Sequence, residues 1–108
     1  MNTKSLTTAP TWTDSAAPFV APRRRSDVVE EILDEDAILT DPKTGAIFHM
    51  NPTAIDVWRL CDGQTTTREI ALAQRERSDV DFDTAFDHVE QLIVAFARSR
   101  LFDSPADV

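Results

Sequence analysis

The chain has 108 residues, 42% of them hydrophobic, a formal net charge of −8 and one cysteine. That length suits one small core and leaves no room for a second domain, and a lone cysteine rules out an internal disulfide, so nothing points to an oxidising compartment. Residues 1–25 hold Lys4, Arg23, Arg24 and Arg25 against Asp14, a net of +3, which leaves −11 on residues 26–108, a sign that repels phosphate backbones.

The first 22 residues are rich in Thr, Ala and Pro and show neither helical nor strand periodicity, with Pro10, Pro18 and Pro22 interrupting any regular element. Residues 1–25 are therefore expected to be a disordered tail, and Arg23–Arg25 a solvated junction. Trp12 and Phe19 are unusual in such a tail and are either incidental or docked on the domain. No apolar run of signal-peptide length opens the chain, and no stretch nears the ~20 apolar residues of a membrane span, so a soluble, cytoplasmic protein is expected.

From Ser26 onward the pattern is structured. VVEEIL at 28–33 is locally ambiguous: its apolar positions suit a helical face, whereas valine and isoleucine favour strands. DAILTD at 36–41 is a short apolar run, and DPKTG at 41–45 is a turn with Pro second and Gly where a positive φ is needed. Residues 46–50 alternate, with Ala46, Phe48 and Met50 on one face and Ile47 and His49 on the other. Two strands cannot bury a face alone, so a third at 28–33 completes an antiparallel meander.

Strand 46–50 runs into a helix almost without a loop. Asn51 is a favoured N-cap and Pro52 suits the first helical position. Ala54, Ile55, Trp58 and Cys61 make one apolar face, and Gly63 after Asp62 is the expected left-handed stop. Thr66 with Glu69 forms a capping box for a second helix reaching about Arg77, with a thin apolar face of Ile70, Leu72 and Ala73. A third helix at about 83–99 carries a stripe of Phe82, Phe86, Val89, Ile93 and Phe96, broadened by Ala85, Leu92, Val94, Ala95 and Ala97. That is more apolar surface than one core-facing stripe needs, so the helix is central or lines a groove. Leu101 and Phe102 are expected to plug the core, ahead of a short tail at 104–108.

The expected architecture is α+β, a three-stranded antiparallel β-meander followed by three α-helices, occupying residues 26–103. This order, together with Leu33-Asp34, Ala37-Ile38-Leu39, Asp41-Pro42, Thr44-Gly45, Met50-Asn51-Pro52-Thr53-Ala54, Trp58, Cys61-Asp62-Gly63, Thr66 with Glu69-Ile70, and Leu101-Phe102, resembles the PqqD-like family of RiPP recognition elements. The resemblance implies a winged-helix-like fold that binds the leader of a ribosomally made precursor peptide, added as a strand along the third strand in a cleft completed by the third helix. Four positions depart from the family pattern. Gln74 and Ser78 stand where apolar residues are usual, Arg100 replaces a glycine and would be strained in a left-handed cap, and Met50 stands for leucine.

Carried onto this chain, the resemblance places the peptide edge at Ala46, Ile47, Phe48, His49 and Met50. The helix wheel puts Phe86, Glu90, Val94 and Ala97 on one flank, taken as the groove wall with Ile93, and Ala85, Leu92 and Ala95 on the other. Glu90 is the candidate selectivity element, pairing with a basic leader residue. The implied role is a non-catalytic adaptor that presents the precursor to a maturation enzyme, radical-SAM or other, with no cofactor, metal, nucleic acid or membrane partner, as a monomer or an edge-swapped dimer. The alternative is a small winged-helix DNA-binding regulator, which would need a basic helix; the third helix instead opens with Asp81, Asp83, Asp87 and Glu90. Catalysis by Cys61 with His49 or His88 lacks any local feature that would lower the thiol pKa, and these residues have no metal-ligand spacing.

Overall fold

Asp34 turns the first hairpin in the left-handed region, with φ 56°, which a short polar side chain tolerates. In this computed structural model, which describes residues 19–103, that turn joins β1 (Val29–Leu33) to β2 (Asp36–Thr40), with Leu33 opposite Asp36 and Val29 opposite Thr40. The ambiguous 28–33 segment is thus a strand from residue 29 onward, and all five of its residues are exposed because no helix packs beneath it. Without a buried face it has no reason to alternate, which is why its sequence reads as either element.

The second turn is built by Asp41 and Gly45. The Gly45 N–H donates to the Asp41 carbonyl at 2.7 Å, and the Asp41 N–H donates to the Ala46 carbonyl at 2.9 Å. With Gly45 at φ 78°, this is a bulge in which two residues face one, leading into β3 (Ile47–Met50). The sheet order is β1-β2-β3, all antiparallel. Ala37 and Leu39 point inward with Phe48 and Met50, while Ile38 points outward with His49.

Helix α1 (Pro52–Leu60) starts as expected: the Asn51 side chain accepts the Ala54 N–H at 2.8 Å. It ends about one residue earlier than Gly63 suggested, capped at Cys61, whose φ of −82° is not left-handed. Gly63 does have φ 80°, but its role is close approach, since a β-carbon there would lie 3.2 Å from Arg23 Cβ. Helix α2 (Thr67–Ser78) has both halves of the Thr66–Glu69 capping box. Gln74 faces inward at 4% exposure, and its Nε2 has no partner among the described residues, which places an unpaired polar group on this helix's inner face. Helix α3 (Phe82–Arg98) is capped by Asp81, which accepts the Thr84 N–H, and buries Ala85, Val89, Ile93, Phe96 and Ala97.

The core lies between the inner sheet face and the three helices. Trp58 meets Phe96 edge-on at 5.4 Å and stacks on Phe102 at 6.4 Å, so the final apolar pair plugs the core, with Leu101 fully buried. Arg100 takes φ 61°, the strained conformation foreseen for it.

Residues 19–25 correct the expected tail boundary: they form a packed strap. The Thr67 N–H donates to the Phe19 carbonyl, Ala21 to Thr65, Arg24 to Cys61 and Arg25 to Leu101, and Asp103 returns a bond to Arg23. Ala21 is completely buried, whereas the Phe19 ring is 76% exposed. Nor are Arg24 and Arg25 solvated. Arg24 donates to the carbonyls of Arg59 and Cys61 at the end of α1, where a cation complements the helix dipole. Arg25 engages both oxygens of Asp41 and of Asp27 and the Arg100 carbonyl. Its guanidinium holds the buried Asp41 carboxyl down at about 2 and also lowers Asp27. The strap pairs with three separate loops, so no periodicity could mark it. Trp12 lies outside the described residues.

Candidate peptide-binding edge

Hydrogen bonding in an antiparallel ladder alternates, so one bond fixes the direction of all the others. The Asp41 N–H bond to Ala46 makes that pair hydrogen-bonded, and with Leu39 opposite Phe48 and Ala37 opposite Met50, those residues also turn their backbone groups toward β2. Ile47 and His49 therefore direct their N–H and C=O groups away from the sheet. β3 is an edge strand, so two donors and two acceptors face outward along it. Their side chains stand on the outer sheet face: Ile47 is 68% exposed, and His49 Nε2 lies 2.9 Å from Asp36 Oδ2.

Beyond this edge the backbone of β3 makes no close approach to α3, resting instead on β2 and α1. The space left is a cleft of about 460 Å³ where β3 runs into α1, lined by Asn51, Thr53, His88, Gln91, Leu92 and Ala95. Leu92 and Ala95 give it an apolar wall and the others a polar lip. Gln91 is held by its Nε2 donating to Asp87 Oδ2 at 2.9 Å. An added strand would place alternate side chains into the cleft and onto the outer face.

The flank of α3 that lines this cleft is the other one from the flank expected to form the groove wall. Phe86, Glu90 and Val94 are half-buried and do not line it; Phe86 stacks on Phe82 at 5.6 Å, away from β3. Ile93 and Ala97 belong to the core, at 0% and 4% exposure. Of the strand residues, Ala46 and Phe48 are half-buried and Met50 is buried, so only Ile47 and His49 offer side chains to solvent. Sequence reasoning missed His88, Gln91, Leu92 and Ala95 as a set. They recur at helical spacing, but two of the four are polar, and nothing local shows on which side of α3 the second helix packs.

Other candidate chemistry is also located. Cys61 is fully buried, its Sγ donates to the Val57 carbonyl, and burial pushes the thiol up to about 12, so it is protonated at neutral pH and no nucleophile. Among the described residues, no three metal-ligating side chains converge and no helix is long and apolar enough to cross a membrane.

No curated protein matches the chain. Two solved structures share its fold. One, described as TbiB1 in complex with the TbiA(beta) leader peptide, has a TM-score of 0.68 at 24% identity, covering 79% of this chain and 99% of that one. The other is the solution NMR structure of the PqqD truncation of Methylobacterium extorquens PqqCD, described as a functional, stand-alone RiPP recognition element; its TM-score is 0.63 at 21% identity, covering 77% of this chain and 88% of that one. The family model for coenzyme PQQ synthesis protein D (PqqD) matches residues 36–101, from the start of β2 to the buried Leu101, and the chain belongs to the PqqD family.

Proposed function

We propose that this protein is a non-catalytic, cytoplasmic adaptor that captures the leader of a ribosomally synthesised precursor peptide by strand addition to β3 and presents the rest to a modifying enzyme. The observation that carries this reading is the outward-facing backbone of Ile47 and His49 beside an open cleft. Main-chain bonds supply affinity there without demanding a sequence, and the cleft supplies selectivity. The peptide-contacting residues are Ala46–Met50 and, on α3, His88, Gln91, Leu92 and Ala95. The leader complex of TbiB1 supports the reading by analogy of fold. Holding the precursor raises its effective concentration at the enzyme; a radical-SAM enzyme is one partner of fitting type. The same open edge permits a strand-swapped dimer, which sedimentation would detect.

A DNA-binding role is less well supported. Arg77 is paired with Asp56, Arg68 lies over the Phe82 ring, and Arg24 and Arg25 are consumed by the strap. Few cations remain to neutralise phosphates.

The test is a two-dimensional NMR titration of labelled protein with synthetic leader peptides from small open reading frames encoded beside its gene, with random duplex DNA as control. Shifts at residues 46–50 and at 88–95 with one peptide are expected. Shifts with duplex DNA in α2 and none with any peptide would overturn the proposal.

A further inference from the structure

Among the described residues nothing covers the outer face of the sheet, and each of its three strands contributes apolar side chains to it. Val29 is 56% exposed and Leu33 41%, Ile47 is more exposed still, and half-buried Ile38 lies between them, all on one face by register. Carboxylates also mark this face: Glu31 stands mid-strand between Val29 and Leu33, Asp36 stands at the hairpin end, and Asp34 and Glu35 form the turn. Only His49 answers them, through Asp36. Contiguous exposed apolar surface inside a charged rim marks a docking surface.

Resting on the adaptor reading above, we infer that this outer face docks the modifying enzyme through a surface with apolar side chains inside a basic rim. Charge complementarity selects that occupant. A second copy of this chain would bring Glu31, Asp34 and Glu35 against their own kind, with no cation between them. The bound leader would extend the same face, because leader residues opposite Ile47 and His49 point to the outer side. The enzyme would then read sheet and leader together, and loaded adaptor would bind better than empty.

The test measures two affinities on the full chain: for the leader peptide identified by NMR, and for the purified modifying enzyme encoded beside the precursor. The variants are Val29→Ser with Leu33→Ser, and Glu31→Lys with Glu35→Lys, all at exposed side chains outside the leader cleft. Each pair should weaken the enzyme about tenfold or more, as loss of a buried anchor or rim charge does, with leader affinity unchanged. Added salt should weaken enzyme binding to the parent chain more than to the lysine variant. Unchanged enzyme affinity in both variants, with the leader still bound, would overturn this inference alone. A parent chain that bound no leader would overturn the adaptor reading as well.

Discussion

The sheet has two edges, and they differ in almost every respect that governs strand addition. On β1 the outward backbone groups belong to Glu30 and Ile32, flanked by Glu31, and the Glu30 side chain is tied to Arg59 on α1. A charged edge of this kind is how proteins discourage pairing. On β3 the outward groups belong to Ile47 and His49, one aliphatic and one paired with Asp36, and the cleft between α1 and α3 opens at the strand's end beside Asn51. The contrast favours β3 as the proposed site, because an unguarded edge can take an added strand and a second wall close by can read its side chains.

Proline scanning should separate the two edges most sharply. Phe48→Pro removes both a ladder bond to β2 and a ring packed on the core, and should cost about 3 kcal/mol or more, a large share of a small domain's stability. His49→Pro removes only an outward donor, so circular dichroism should stay native while calorimetry finds leader binding abolished. Unfolding by both substitutions would break the ladder assignment.

Next in size is the cleft wall. Ala95→Glu, at an exposed position lining the cleft, should lower leader affinity about tenfold with little change in melting temperature, since it disturbs the groove and not the core. Normal affinity would move the site off α3.

Acid stability comes third. Asp41 is lowered to about 2 by Arg25, and Asp27, Asp62 and Asp81 are lowered as well, by Arg25, by the Thr65 and Gln64 backbone N–H groups, and by Thr84 respectively. Depressed carboxylates stabilise the fold fully above their unfolded value of about 3.9, and that contribution fades as pH falls through the folded value. Melting temperature should therefore drop between about pH 4 and about pH 2, and Asp41→Asn should lose much of this dependence along with its overall stability. An unchanged pH profile in that variant would break the clasp.

The smallest effects are expected at the guarded edge and the rejected flank. Ile32→Pro and Glu90→Gln should leave leader affinity within about twofold of the parent. A large loss from Ile32→Pro would mean that β1 is the occupied edge; one from Glu90→Gln would restore the flank that sequence reasoning favoured.

Much of the fold was legible where local physics decides. The Asn51-Pro52 start, the Thr66–Glu69 box, the Asp41–Gly45 turn and the alternation of 46–50 each depend on neighbours in the chain, and each stands as expected. The strain at Arg100 and the polar intrusion at Gln74 could be foreseen for the same reason. The strap at 19–25 and the Arg25 clasp could not, because their partners at Asp41, Thr65, Cys61 and Leu101 are distant in sequence and share no period.

By itself, the sequence determined the helix caps, the turns and the alternation of 46–50, since all of these follow from short-range backbone and hydrogen-bond preferences. Only the tertiary structure decided which side of α3 faces that edge. An amphipathic stripe as broad as that of residues 82–97 fits a core from several rotations, and packing against α2 selects one, turning Leu92 and Ala95 toward the cleft and Ile93 and Ala97 into the interior.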